Sequence, residues 1–217
     1  MILSAAAFAA APVLARAADK GELVPAKKIF PFYDLYLGIP AAERSRFAMA
    51  YYLMLNGKPT AGHTLWLVGA GGARTALPVG ADGRIQKLPS LADLKANATV
   101  DPGKRQDSDK FQISMEMQPL VQLDTELPAA DLAAAIEQCN AAIRKKAGLI
   151  GFAAPKMEQV VFVGASGGQA VLAGGKTVPL PVMKGLPVYQ PAALAGAQVL
   201  KFAKAPTRAL LAEKSKG

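Results

Sequence analysis

The sequence predicts a β-rich α+β protein made of two related antiparallel β units, with one long helix in the second. Three observations predict it. Short apolar runs of strand composition are separated by Gly, Asn and Pro turns through most of the chain. One stretch, 128–147, carries an apolar stripe at helical spacing. Three sequence blocks recur in the same order in both halves. IPAAE at Ile39–Glu43 returns as LPAAD at Leu127–Asp131, VGAGG at Val68–Gly72 as VGASG at Val163–Gly167, and LPSLADLKANATV at Leu88–Val100 as LPVYQPAALAGAQV at Leu186–Val199, with offsets of 88, 95 and 98. The sequence therefore reads as 1–17 leader, 18–104 first unit and 105–217 second unit.

The elements follow in order. Met1–Leu14 is an Ala-rich apolar run closing on Ala15-Arg16-Ala17, small residues at the two positions a signal peptidase reads, so a secretory signal cut after Ala17 is expected. The run is shorter than the ~20 apolar residues of a spanning helix. It has no basic residue before the apolar segment, which fits a native start upstream of Met1. No Cys follows it to carry a lipid. Phe32–Leu37 has strand composition, with Tyr33, Leu35 and Leu37 on one face. Ile39–Glu43 begins a turn or short helix, and Phe47–Leu55, apolar on both faces, is a buried strand. Asn56–Pro59 is turn chemistry. His63–Val68, Arg74–Val79 and Arg84–Leu88 are strands joined by Gly69–Gly72 and Ala81-Asp82-Gly83. In its turn residues Asn56–Pro89 resembles small immunoglobulin-like β modules of exported bacterial proteins, a resemblance that carries no functional residue.

Asp101–Lys110 is the most polar stretch and reads as a linker. Phe111–Asp124 starts as a strand and breaks at Pro119. Pro128 opens the helix, Asp131 complements its positive end, and Leu132, Ile136, Cys139 and Ile143 form its stripe. Arg144–Lys146 suits the negative end, and Gly148 is the expected stop. Val160–Val163, Gln169–Leu172, Thr177–Val182 and Gln198–Phe202 return to strand. Arg208–Gly217 is expected to add at most a helical turn.

Composition narrows the function. The chain has 217 residues, 25 Lys and Arg against 16 Asp and Glu, and a net charge of +9; loss of Arg16 with the leader makes it +8. In a bacterial periplasm or outside the cell, the acidic partners on offer are lipid and glycan rather than nucleic acid. The expected localisation is periplasmic or extracellular, with no transmembrane segment in the mature chain. Partners are expected to be a protein or an anionic envelope component. Cys139 is the only cysteine, so no internal disulfide forms and burial of the thiol is expected.

Catalytic, cofactor and metal residues are expected to be absent. His63 and Cys139 are the only His and Cys, too few for zinc. Asp107-Ser108-Asp109 lacks the later ligands of a calcium loop. Gly174-Gly175-Lys176-Thr177 lacks the earlier Gly and following helix of a phosphate loop. Asp34, Glu116 and Asp124 are the acids set in apolar strands. The aromatic residues serve the core first; as a candidate binding surface the sequence offers Tyr33, Tyr36, Tyr52, His63 and Trp66. The leading expectation is an exported non-catalytic protein that binds or scaffolds an envelope component. The alternative is a secreted hydrolase using His63 or a carboxylate pair.

Overall fold

Turn chemistry decides where the strands fold back. Asn56 and Gly57 have φ of 51° and 76°, the two left-handed residues of a tight hairpin in which Leu55 faces Lys58. Gly72 and Gly175, at 78° and 82°, close two further hairpins. The structure is a computed structural model that describes residues 23–103, 110–150 and 154–214. The expected leader, 1–17, and residues 104–109 of the expected linker lie outside the described residues. Among the described residues the fold is a β-rich α+β arrangement of four antiparallel sheets and one long helix. The chain divides into two compact units, an N-terminal unit of 23–38 and 49–116 and a C-terminal unit of 39–48 and 117–214.

The N-terminal unit opens with β1 (Val24–Pro25), α1 (Ala26–Ile29) and α2 (Tyr33–Leu37). It continues through β2 (Phe47–Leu55), whose first two residues belong to the other unit, then β3 (Lys58–Pro59), β4 (Thr64–Val68) and β5 (Arg74–Pro78). α3 (Leu91–Lys95), β6 (Thr99–Asp101) and β7 (Phe111–Pro119) complete it, with the last three residues of β7 in the other unit. One sheet runs β1-β6-β4-β5 and a second β3-β2-β7. The strand expected over His63–Val68 is β4, and it alternates: Leu65 and Leu67 are buried while Thr64, Trp66 and Val68 are half-buried. Phe30, Tyr51, Leu53, Leu77, Leu94 and Val100 join them in the core.

Two expectations here are corrected. Phe32–Leu37 is not a strand, because Tyr33–Leu37 forms α2. A six-residue run satisfies both periods, and the helix sets Tyr33 on Tyr36, rings stacked at 5.8 Å, and against Tyr51 at 5.6 Å. Gly38 caps the helix with its N–H on the Asp34 carbonyl. Of Arg84–Leu88, only Arg84 and Ile85 make bridges, to Tyr52 and Val79. α3 is a helix the periodicity did not reveal. Its signal is Ser90-x-x-Asp93, a capping box in which Ser90 Oγ accepts the Asp93 N–H and Asp93 Oδ2 accepts the Ser90 N–H.

The C-terminal unit contains a 3₁₀ turn (Ala41–Arg44), β8 (Glu126–Pro128) and α4 (Ala129–Ile150). Seven strands follow: β9 (Gln159–Val163), β10 (Gln169–Leu172), β11 (Thr177–Pro179), β12 (Val182–Met183), β13 (Leu186–Tyr189), β14 (Ala197–Lys201) and β15 (Arg208–Ala212). Its sheets run β8-β14-β10-β11 and β12-β13-β9-β15. The expected helix is present, starting one residue later and running past Gly148, whose penalty of about 1 kcal/mol the long helix absorbs. Its buried stripe is Leu132, Ala135, Ile136, Cys139 and Ala142. The expected strand Thr177–Val182 is two strands in different sheets, because the chain crosses over at Leu180-Pro181. Arg208–Ala212 is strand rather than helix: its Ala and Leu favour a helix, but residue-by-residue pairing with β9 overrides propensity.

Two buried polar clamps tie the C-terminal unit together. Asn140 on α4 donates Nδ2–H to the Met157 carbonyl and accepts the Met157 N–H on Oδ1, both at 2.8 Å. Gln159, fully buried, donates to the Glu213 carbonyl and accepts from Gln190 Nε2. α4 also presents Asp131, Gln138 and Lys145 at seven-residue spacing to residues 42–46. Lys145 pairs with Glu43 at 2.7 Å, Asp131 with Arg46 at 3.4 Å, and Gln138 Oε1 accepts the Arg46 N–H.

Candidate functional site

The outward face of the β1-β6-β4-β5 sheet is built by register. Antiparallel pairing sets Trp66 opposite Asp101 on β6 and Ala76 on β5, and Val68 opposite Thr99 and Arg74. Side chains of directly opposed residues share a face, so Trp66, Arg74 and Asp101 meet there. The Arg74 guanidinium lies 5.3 Å from the Trp66 ring centroid, and its Nη2–H donates to Asp101 Oδ2 at 2.7 Å. Asp101 Oδ1 accepts the Gly103 N–H at 2.8 Å. The Arg74 hydrogen bond, then the Gly103 N–H, holds the Asp101 carboxyl below the usual carboxylate range. Arg74 spends one N–H on Asp101, so an oriented, half-exposed guanidinium keeps further donors facing solvent. Chemically, such a set can donate hydrogen bonds to polar or anionic groups and offers an indole for an apolar face.

His63 stands where the chain enters β4. Its Nε2 is 2.7 Å from the Pro102 carbonyl oxygen, which can only accept, so Nε2 carries the proton. Its ring lies 5.2 Å from that of Phe111. A base for hydroxyl activation needs its free nitrogen toward a hydroxyl, and the recorded partner of this ring is a backbone carbonyl.

Of the five expected surface residues, Tyr33, His63 and Trp66 are half-buried. Tyr36 and Tyr52 are buried, at 8% and 3% exposure, and serve the core instead of the surface. Tyr51, beneath Tyr33, donates its hydroxyl to the Pro31 carbonyl at 2.6 Å. Burial first, then the nearby Tyr33 and Asp34, pushes its pKa far up. The residues sequence reasoning missed are Arg74 and Asp101, the latter read as the start of a linker; the signal for Arg74 was the strand spacing that returns it beside Trp66 after the Gly turn.

Phe32 is the second exposed feature of the N-terminal unit. It lies between α1 and α2 with φ 63°, and half of its surface faces solvent. A bulky side chain in the left-handed region is strained, by about 1–3 kcal/mol. Lys27 pairs with Asp34 at 3.5 Å, and Lys28 is exposed.

In the C-terminal unit a shallow cleft of about 560 Å³ is lined by Ser45, Arg46, Leu120, Val121, Gln122, Pro128 and Asp131. Cys139 is buried as expected, and burial pushes its thiol up to about 12. Among the described residues, no three of His, Cys, Asp and Glu stand close enough to hold a metal ion, and no helix is long and apolar enough to cross a membrane. Comparison with protein-family models, with curated proteins and with solved structures finds no match.

Proposed function

We propose that the chain is an exported, non-catalytic binding protein, built by duplication of one β-sheet module, that meets an envelope component through the Trp66 face. The observation that carries this reading is that two sheets of the same topology bear differently decorated outward faces. The sheet orders β1-β6-β4-β5 and β8-β14-β10-β11 correspond strand for strand in chain order.

Registers support the correspondence. Val24-Pro25 faces Val100 and Thr99 as Leu127-Pro128 faces Leu200 and Val199. Leu67 joins Val100 to Thr75 as Ala170 joins Leu200 to Val178. Val24, Leu67 and Thr75 are each 103 residues from their counterparts, and Val100 is 100 from Leu200. The hairpin turns repeat too: Gly69 N–H to Ala73 O at 3.0 Å and Gly72 N–H to Gly69 O at 2.9 Å match Leu172 to Lys176 at 2.7 Å and Gly175 to Leu172 at 3.0 Å. Ala70-Gly71-Gly72 and Ala173-Gly174-Gly175 are then the same turn. The offsets of 88 and 95 pair segments that differ in topology, since Val68 ends β4 and Val163 ends β9.

In that register Trp66, Arg74 and Asp101 correspond to Gln169, Thr177 and Lys201. The scaffold is held while the face changes, which is how binding specificity is grafted onto a module. His63, bonded to the Pro102 carbonyl, supports binding over hydrolysis.

Trp66 is the only tryptophan, so its fluorescence reports from this face alone. Titration with cell-wall glycan fragments, lipopolysaccharide and a peptide library should give a saturable emission change with one class. Arg74→Ala should weaken that binding about tenfold. Flat emission with every class, together with a bare chain in native mass spectra of protein isolated from the envelope, overturns the proposal.

A further inference from the structure

We propose that the α1–α2 corner is a lipid-docking point, with Phe32 the apolar anchor and Lys27 and Lys28 the contacts to anionic headgroups. The proposal is independent of the Trp66 face. Among the described residues, four non-glycine residues have positive φ: Phe32, Asn56, Asn97 and Lys184. The two asparagines suit the left-handed region, whereas an aromatic side chain is unusual there. The strain at Phe32 also does not gain burial, because the residue is 51% exposed. Two unfavourable features thus coincide at one residue, the pattern of a side chain held for contact with something else.

The base beneath it is rigid. Phe30, two residues before, is buried edge-on against Tyr51 at 5.3 Å, and Tyr33, the next residue, packs on the same ring at 5.6 Å. The Tyr51 hydroxyl holds the Pro31 carbonyl between them. Phe32 is therefore presented with little conformational freedom left to lose on docking.

The charge around it selects the partner. Lys27 and Lys28 are exposed on α1; Lys27 is drawn toward α2 by Asp34, and Lys28 makes no ion pair among the described residues. The chain as a whole carries +9. A single ring flanked by lysines is too small for the apolar centre of a protein interface. It matches a bilayer boundary, where an aromatic ring enters at headgroup depth and ammonium groups meet phosphates.

The test is co-sedimentation of the full chain with vesicles of phosphatidylcholine alone or with about 30 mol% phosphatidylglycerol, the strongly anionic case. Wild type should bind the anionic vesicles, ignore the neutral ones and release with salt. Phe32→Asn should bind about tenfold more weakly while its thermal midpoint rises, since asparagine accepts the left-handed backbone. Lys28→Gln should lose about fivefold with the midpoint unchanged. These opposed signs separate a docking residue from a structural one. Wild type that ignores anionic vesicles, a Phe32→Asn variant that binds them equally, or one whose midpoint falls overturns the proposal. So does a native mass spectrum in which Phe32→Asn dissolves a dimer, which would assign the ring to a second copy of the chain.

Discussion

Replacing Asn140 by alanine removes both arms of the clamp between α4 and the approach to β9. Asn140 is 8% exposed and Met157 5%, so water does not reach the groups left behind. Two backbone groups, the Met157 N–H and C=O, lose partners at 2.8 Å. An uncompensated buried polar group costs about 1–3 kcal/mol, so the pair costs about 2–6 kcal/mol, to which truncation of the side chain adds little. A domain has only about 5–15 kcal/mol in hand, so the variant should unfold well below wild type in urea. Gln138→Ala, two residues away on the partly exposed edge of the same helix, is the control and should cost about 1 kcal/mol or less, because water takes over its bonds. The assay is urea unfolding followed by circular dichroism, with hydrogen exchange at the Met157 amide as the local readout. A loss below about 1 kcal/mol with Met157 exchange unchanged refutes the reasoning. It would mean that helix packing alone holds this junction.

Gly83→Ala should destabilise by about 2–4 kcal/mol in the same assay, because φ is 84° and the new Cβ would stand 2.8 Å from the Leu53 carbonyl oxygen, which is backbone and cannot swing away. Gly72→Ala and Gly175→Ala should each cost about 1 kcal/mol and agree with one another, since both have φ near 80° in open space; markedly unequal costs would count against the shared turn. The Cys139 thiol sets an alkaline limit. Its folded pKa is raised from 9.0 to about 12, so the unfolded chain ionises first, and stability present below pH 9 should fall as pH rises toward 12. Cys139→Ala should flatten that part of the profile. Alkylation of Cys139 near neutral pH should require unfolding, and rapid labelling of the native protein would contradict the burial.

By itself the amino-acid sequence determined the β-rich class, the hairpin turns, the buried strand of Phe47–Leu55 and the helix carrying Leu132, Ile136 and Cys139. These follow from local rules: glycine and asparagine accept left-handed turns, and a long apolar stripe has one period that fits. Only the tertiary structure decided the short ambiguous runs. Phe32–Leu37 became α2 because its rings pack on Tyr51, and Arg208–Ala212 became strand because β9 offered it a ladder. Tyr36 and Tyr52, read in sequence as core first and candidate surface second, are buried; an aromatic residue carries no local mark of which way it faces. The candidate site divides the same way. Trp66 was offered by the sequence as core first and binding surface second, and Arg74 and Asp101 stand 8 and 35 residues further along. Sheet register alone brings a guanidinium, a carboxylate and an indole together, because hydrogen-bonded pairing acts across sequence distances that no local pattern records.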